Sequence, residues 1–485
     1  MLLKNIIREK TRFDDMQISG ISKDSRTVKG GEIYFCLNED RDLTQKRCKE
    51  ALERGASVVV CSYSLPYENC ITVKDIRESF AYACGNFYKR ACDDLKIIGI
   101  SGTNGKTTTA HIISHMLKHN GKNVGVIGTN GISYNGKIIE TNMTTPDADV
   151  LHQTFLDMKN TGVEYVVMEV SAHAIDQKRI EGINFELGVL TNITQDHLDY
   201  FKTFATYART KFSFFSRKHI KKAIVCVDDK NASKLLGKTN VPVKTYGIHN
   251  PCDSFAIDIC STMDGSRFVG NICDSVVNIK TNLIGEYNIY NSLAALTVCH
   301  ELGFNDKELE IGLNFIEPAE GRFNVVNFSG RYVIIDYAHT PDGLLNILKT
   351  ARALTDKKVY VIFGCGGNRD KDKRAKMGKI AEEYADYVCL TDDNPRNEKS
   401  YDIIMDIERG MKKPHFIQTD RKRAISRMID LAQKDDIIII AGKGAEKYQE
   451  IGDKKYPYND FDAVYGHFKE LDPCSFKGDG EKYVY

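Results

Sequence analysis

The residues best suited to chemistry are Gly102-Thr103-Asn104-Gly105-Lys106-Thr107-Thr108, which follow the apolar run Ile97–Ile100 and precede a helix-like segment, His111–Lys118. That order is strand, loop, helix. Glycines at 102 and 105 let backbone N–H groups turn inward around an anion, and a helix N-terminus adds partial positive charge. Lys106 then reaches phosphate oxygens, while the hydroxyl of Thr107 or Thr108 holds Mg²⁺. The general phosphate-loop spacing puts glycine at position 100, where this chain has Ile100, so the loop is a shorter variant.

Other candidates fall beyond the next apolar stretches. Glu169 ends Tyr165–Glu169, and an acid at the end of a buried strand beside a phosphate loop is placed to bind Mg²⁺. His197 lies in Asp196-His-Leu-Asp199, just after Leu187–Ile193. Asn288 and Asn291 stand at the start of a helical pattern, where a side-chain amide either caps the helix or hydrogen-bonds a base.

Positioning these groups requires parallel sheets. The runs 332–336, 359–363, 387–390 and 437–441 are separated by helical segments such as Lys376–Tyr384, and each is followed by a polar loop. Buried apolar strands alternating with helices make a parallel sheet whose ligand lies beyond the carboxyl ends. The loops Tyr337–Asp342, Gly364–Asp370, Thr391–Glu398 and Gly442–Glu446 gather charged residues and glycines at that edge. They read as a second ligand-binding domain facing the nucleotide. Residues 250–283 alternate like short β-hairpins, a small insertion. Near the N-terminus, Asp24-Ser25-Arg26 reads equally as a turn and as a binding element, before a strand, a helix at Lys46–Arg54 and a strand at Ala56–Cys61. The expectation is an α/β chain of three units, 1–92, 93–322 and 323–485.

Composition bounds the function. A chain of 485 residues exceeds one core. Apolar content of 42% and charge of 27% are those of a soluble globular protein. The net charge of +1 makes no case for nucleic acid or an anionic membrane. No apolar run approaches spanning length, and charge interrupts the N-terminus too early for a secretory segment. The 14 cysteines are scattered without zinc spacing and read as reduced thiols of a cytoplasmic protein.

Together, Gly102–Thr108, Met168-Glu-Val-Ser171, Asp196–Asp199, Tyr207-Ala-Arg-Thr-Lys211, Asp336–Asp342, Gly364–Gly367 with Arg369-Asp370 and Lys373-Arg374, and Asp393-Asn-Pro-Arg396 resemble the ATP-dependent Mur ligases of peptidoglycan synthesis. The resemblance runs over nearly the whole chain. It implies an N-terminal α/β uridine-binding domain, a central P-loop ATPase domain and a C-terminal Rossmann-like domain carrying the amino acid. It also implies the reaction: ATP phosphorylates the D-glutamyl side-chain carboxylate of UDP-N-acetylmuramoyl-L-alanyl-D-glutamate (UDP-MurNAc-L-Ala-D-Glu), and the amine of meso-diaminopimelate attacks the acyl phosphate.

Site residues follow by the same match. Gly102, Thr103, Asn104, Gly105, Lys106, Thr107, Thr108, Asn288, Arg322 and His339 are implied to meet ATP. Thr107, Glu169, His197 and a carbamylated Lys211 are implied to hold two Mg²⁺ ions, with Lys106, Lys211, His197 and Glu169 catalytic. Ser25, Thr144, Thr145, Ser171, Gln177 and Arg179 match positions for the UDP-muramoyl peptide, and Arg369, Asp393, Asn394, Arg396, Gly442 and Glu446 match those for diaminopimelate. The implied protein is a monomer without nucleic-acid or membrane partners.

Acceptor choice has a physical basis. Diaminopimelate differs from lysine by a distal carboxylate, for which a bidentate arginine is the natural partner. Lysine would leave Arg396 unpaired. Three departures from the family keep alternatives open: Ala445 stands where the family has histidine, Glu398-Lys399-Ser400 stands where the family has Glu-Asp-Pro, and Asn38-Glu-Asp-Arg-Asp-Leu43 replaces a glycine-rich stretch. The alternatives are L-lysine or another amine as acceptor, and a non-catalytic paralogue that binds UDP-muramoyl peptide.

Overall fold

A computed structural model describes residues 1–472. Three sheets follow one another along the chain, because β-branched apolar runs alternate with helix-forming segments. In the first, β1 (Ile21–Ser22), β2 (Ile33–Phe35), β3 (Val58–Cys61) and β4 (Cys70–Thr72) lie parallel in sequential order. Helices Arg41–Glu53 and Ile76–Phe87 pack on its opposite faces. Each starts at an aspartate, Asp40 or Asp75, whose carboxylate accepts from the N–H three residues on. Asn38–Leu43 therefore ends a loop and opens a helix.

The second sheet has 11 strands. They are β5 (Lys96–Ser101), β6 (Val124–Gly128), β7 (Gly131–Tyr134), β8 (Lys137–Ile139), β9 (Tyr165–Glu169), β10 (Phe185–Leu190), β11 (Ile220–Cys226), β12 (Val243–Gly247), β13 (Ser254–Thr262), β14 (Gly265–Ile272) and β15 (Ser275–Thr281). Their order is β15-β14-β13-β12-β11-β10-β5-β9-β6-β7-β8. The centre is parallel and both flanks end in antiparallel hairpins. The stretch 250–283 is thus no detached insertion, since β12 pairs in parallel with β13 and carries the sheet into it. The chain leaves β5 towards β6, returns to β9 and then crosses to β10. The loop after β5 consequently opens at the topological switch point, where strand ends diverge and leave a crevice.

The helix after that loop, Lys106–His119, begins five positions before the apolar pattern at His111 becomes visible. Its first turn is threonine, yet Thr107, Thr108 and Thr109 are buried. They face the cleft and the neighbouring helix rather than water, so hydrophobic periodicity misses them. This helix and Glu286–Glu301 pack together on one face of the sheet, with Ile112, Ile113, Met116 and Leu293 against Ile98, Ile100 and Val167.

The third sheet has the order β16-β17-β21-β18-β19-β20. Its strands are β16 (Asn324–Phe328), β17 (Arg331–Asp336), β18 (Val359–Phe363), β19 (Tyr387–Leu390), β20 (Phe416–Ile417) and β21 (Ile437–Ala441). All pairings are parallel except β16 with β17. The four central strands match the apolar runs of the sequence; β16 and β20 are edge strands without such a run. Among the described residues, no helix is long and apolar enough to cross a membrane.

Buried charge holds the third unit's loop-bearing edge. Arg421 and Asp460 are both fully buried and bind bidentately at 2.8 and 2.9 Å, while Arg421 also donates to the carbonyl of Ala441, where β21 ends. Tyr458 Oη donates to the same carboxylate at 2.9 Å. Removing one partner of such a pair strands the other in the core, at a cost of about 3–5 kcal/mol. We predict that Asp460→Asn lowers the thermal midpoint and loosens amide protection around 437–446, measured by hydrogen exchange, and that Arg421→Met/Asp460→Leu costs less than the single change.

Candidate active site

The phosphate loop is shaped by what surrounds it. Gly102 has φ of 150°, and a Cβ there would lie 1.8 Å from Thr191 Oγ1; Gly105 has φ of 85°, and its Cβ would lie 2.6 Å from Asn291 Oδ1. Both positions therefore require glycine. Asn192 Oδ1 accepts from the N–H of Asn104 at 3.0 Å, and Thr191 Oγ1 donates to the Asn104 carbonyl at 2.7 Å. Lys106 folds back over the loop, donating to the carbonyls of Gly102 (3.0 Å) and Thr103 (2.8 Å).

Glu169, at the end of β9, is 1% exposed. Its carboxylate accepts from Thr107 Oγ1 (3.1 Å), from Thr129 N (2.8 Å) and from Thr129 Oγ1 (3.2 Å). Thr107 and Glu169 thus present adjacent oxygens, hard donors of the kind Mg²⁺ takes. His197 follows β10 in the left-handed region, with φ of 54°. Its ring stands edge-on to His173 at 4.8 Å and 3.3 Å from Asp196. Burial above all brings the imidazole down to about 4, leaving it neutral with a lone pair to offer at neutral pH. Burial pushes the Asp196 carboxyl up, but His197, His339 and Lys373 outweigh that and hold it at about 2.

Lys211 is the anomaly. It is 1% exposed, its ammonium donates to the carbonyl of Gly102 at 2.6 Å, and among the described residues no carboxylate forms an ion pair with it. Burial, then the neighbouring Lys106, push its pKa well below the usual lysine value, against the opposing pull of Asp196.

A second hydrogen-bonded chain runs from Glu169 towards the first unit. Thr144 Oγ1 meets Thr129 Oγ1 at 3.2 Å, and Thr145 Oγ1 donates to the Glu169 carbonyl (2.8 Å) while accepting from Ser171 N (3.1 Å). Arg179 donates to the Thr145 carbonyl (2.8 Å) and to Gln177 Oε1 (2.6 Å), and pairs with Asp147 at 2.9 Å. Asp147 also pairs with Lys23, so the loop carrying Ser25 is tied to this group. Ser25 itself is buried and donates to Glu50 at 2.7 Å. Asp24-Ser25-Arg26 forms a turn closed by the Asp24–Arg26 pair, which lowers the Asp24 carboxyl to about 2.

The third unit meets the second across a cleft of about 1210 Å³, lined by the phosphate loop, Glu169, His197, Asn288, Arg322 and His339. Arg322 spans it, donating to Thr107 Oγ1 at 3.0 Å with its guanidinium 4.5 Å from the Tyr337 ring centre. Asn104 donates to Asp342 (3.0 Å), and Gln195 to Asp370 (3.0 Å). Asn288 is buried and donates to the Ile284 carbonyl at 2.8 Å, inside the cleft wall. His339 Nδ1 contacts the Tyr337 carbonyl at 2.9 Å, and burial lowers its pKa.

The remaining candidates converge at the carboxyl edge of the third sheet. Asn394 donates to Glu446 Oε2 at 2.9 Å, and Gly442 lies so close to Asp393 that a Cβ would be 2.6 Å from its carboxylate. Arg396 donates through Nε to Glu450 (2.8 Å) and through Nη1 to the Gly367 carbonyl (2.9 Å). Arg369 is exposed and flanks Gly366 together with Arg396.

Sequence reasoning passed over three residues that organise these groups. Lys443 is fully buried and donates to Asn394 Oδ1 (3.0 Å) and Glu446 Oε2 (2.8 Å). Together with Asn394 it braces Glu446, a role for which Ala445 offers no side chain. Asp336 accepts from the N–H groups of Phe323 (2.8 Å) and Ala338 (2.7 Å), which fixes the linker bearing Arg322. Glu450 occupies Arg396. Lys443, a lysine between two glycines next to an acid, carried a visible signal, and so did Asp336, an acid at the end of the apolar run 332–336.

Comparison with known proteins agrees with this architecture. The Mur ligase middle domain matches residues 100–299, and the Mur ligase glutamate ligase domain matches 321–444. The chain is 37% identical over 466 residues to UDP-N-acetylmuramoyl-L-alanyl-D-glutamate--2,6-diaminopimelate ligase 1 of Clostridium acetobutylicum, covering 94% of this chain and 96% of that one. It is 38% identical over 472 residues to the ligase of the same activity name from Caldanaerobacter subterraneus subsp. tengcongensis, covering 96% and 97%. A solved structure titled as a UDP-N-acetylmuramoyl-L-alanyl-D-glutamate--2,6-diaminopimelate ligase superposes with a TM-score of 0.72 at 29% identity, over 97% of this chain and 99% of that one. With a phosphate loop and a second parallel sheet opening onto one cleft, and with both domain families matched in order, the chain belongs to the Mur ligases, ATP-dependent enzymes that form amide bonds.

Proposed function

We propose that this chain joins meso-diaminopimelate to the D-glutamyl side-chain carboxylate of UDP-MurNAc-L-Ala-D-Glu, using ATP. The observation that carries the reading is the meeting of two loop-bearing sheet edges at Arg322, with an arginine, an asparagine and a glutamate grouped beyond the second edge. The relatives' names supply the substrates. We assign the work to units 1–92, 93–322 and 323–485, of which residues 473–485 lie outside the described part. A cytoplasmic monomer goes with this reading, as do the 13 free cysteines among the described residues.

A carboxylate is a poor electrophile and repels the γ-phosphate, so activation requires cations between two anions. Lys106 and the N–H groups of the phosphate loop take the phosphates, and Arg322 supplies a further cation from the linker. Bound Mg²⁺ supplies the remaining positive charge, with Thr107, Glu169, His197 and a modified Lys211 as holders. Transfer of the γ-phosphoryl group to the D-glutamyl carboxylate breaks the Pγ–O bond to ADP and forms an acyl phosphate. The acceptor amine then attacks the acyl carbon, and phosphate departs with the bonding pair as the amine loses a proton. Thr144, Thr145, Ser171, Gln177 and Arg179 hold the peptide in this reading, and Ser25 the uridine end.

A buried lysine whose pKa is pushed down suits carbamylation: Nζ of its deprotonated form bonds the carbon of CO₂, a proton leaves, and an anion replaces the amine that donates to Gly102. Nuclear magnetic resonance with ¹³C-bicarbonate should show one carbamate carbon in the wild type and none in Lys211→Arg. A spectrum without that signal refutes the carbamate.

Arg369, Asp393, Asn394, Arg396, Gly442 and Glu446 receive diaminopimelate, with Arg396 on its distal carboxylate. Glu450 on Arg396 favours a second reading, in which that charge is already spent and L-lysine is the acceptor. ADP release decides. We expect turnover with meso-diaminopimelate, lost in Lys106→Ala, at a kcat/KM at least ~100-fold above that with L-lysine. Equal rates would select the second reading, and no substrate-dependent release would select the non-catalytic paralogue. In addition, Arg396→Ala should raise KM for diaminopimelate ~100-fold with KM for ATP within about 2-fold; parallel rises in both would remove Arg396 from the acceptor site.

A further inference from the structure

We infer that Cys273, His300 and Glu301 form a zinc-type metal site at the edge of the central sheet away from the nucleotide cleft. Their donor atoms lie within 4.8 Å of one another. Cys273 comes from the turn between β14 and β15, while His300 and Glu301 end the helix Glu286–Glu301. The cysteines have no zinc spacing along the chain, and this group comes together only in three dimensions.

Two observations point to a ligand. The Nδ1 atom of His300 is buried and, among the described residues, has no hydrogen-bond partner; Glu301 Oε1 is 3.8 Å away, beyond hydrogen-bond reach. The Glu301 side chain is 8% exposed and divides its oxygens: Oε2 pairs with Lys222, and Oε1 faces His300. Lys222 thereby orients the carboxylate from behind, as outer partners of metal ligands do. Cys273 Sγ has Ser254 Oγ at 3.5 Å.

Sulfur, imidazole nitrogen and carboxylate oxygen together suit Zn²⁺, whereas Mg²⁺ takes oxygen. Tetrahedral zinc sets its donors roughly 3.5 Å apart, so side-chain rotations of about 1 Å close the triad, with water as a fourth ligand. Loading forms the S–Zn bond and releases the thiol proton to solvent. The helical rise from Asn288, in the cleft wall, to His300 is about 18 Å. This ion is therefore separate from any that serves the nucleotide, and it clips the β14–β15 turn to the helix whose other end lines the cleft.

The test uses the full-length protein, stripped with chelator and titrated with Co²⁺ and then Zn²⁺, with absorbance read for thiolate-to-cobalt charge transfer. The oxygen and nitrogen donors of the nucleotide cleft do not give that band. We expect one equivalent of Co²⁺ to raise it, one equivalent of Zn²⁺ to abolish it, and Cys273→Ser to lack it. His300→Asn and Glu301→Gln should each weaken Zn²⁺ binding at least 10-fold, with circular dichroism and substrate-dependent phosphate release unchanged. A wild type without the band, or a Cys273→Ser variant with the band intact, overturns the site. Should Cys273→Ser fail to fold, undiminished Zn²⁺ affinity in both other variants overturns it equally.

Discussion

A buried charge persists only where something answers it, and the cleft between the second and third sheets is assembled from groups that do so. Glu169 is met by two threonine hydroxyls and a backbone N–H. Asp196 is met by His197, His339 and Lys373, drawn from two different sheets. The reaction proposed for this cleft brings two more anions into it. At an effective dielectric of 20, unit charges 4 Å apart interact by about 4 kcal/mol, so their approach is feasible only in a place already furnished with cations and inward-facing N–H groups. Lys106, Arg322 and the phosphate loop furnish that place.

The two edges meet because of a few contacts that are not themselves reactive. Asp336 ties the linker at Phe323 to the end of β17, which points Arg322 at Thr107. Arg421 and Asp460 brace the end of β21, from which the Gly442–Glu446 loop departs. At the opposite side, Lys23 reaches both Asp147 and Asp149, and this attaches the first unit to the segment that Arg179 organises. These ionic and hydrogen-bonded links act beside apolar contacts between the units, in which Ile284 enters the core of the third unit and Ala148 that of the first.

Around the third sheet, a network of neighbours holds Glu446 in place. With Ala445 contributing only a methyl group, Glu446 is held by Lys443 and Asn394, and Asn394 in turn accepts from Lys443 and from the N–H of Glu450. Glu450 continues to Arg396. Asn394, Arg396 and Glu446 are therefore linked through Lys443 and Glu450 into one network, in which changing a member takes a partner from the next.

The linear order of residues by itself determined the strand-loop-helix phosphate site, the apolar strands of the third sheet and the grouping of polar residues at their carboxyl ends. These are local: a hydrophobic period, a glycine pair and a loop's composition are complete within a few neighbouring positions. The same local reading lost the first turn of the helix at Lys106, because threonines buried against a cleft look like solvent-facing ones. It also lost the edge strands β16 and β20, which have no two-sided burial to enrich them in apolar residues. What only the tertiary structure decided are the pairings between distant positions: Arg322 with Thr107, Lys443 with Asn394, Glu450 on Arg396, and Cys273 beside His300. Their partners lie tens to hundreds of residues apart, and it is the packing of sheets and helices, not chain proximity, that sets whether two such groups share a few ångströms of space.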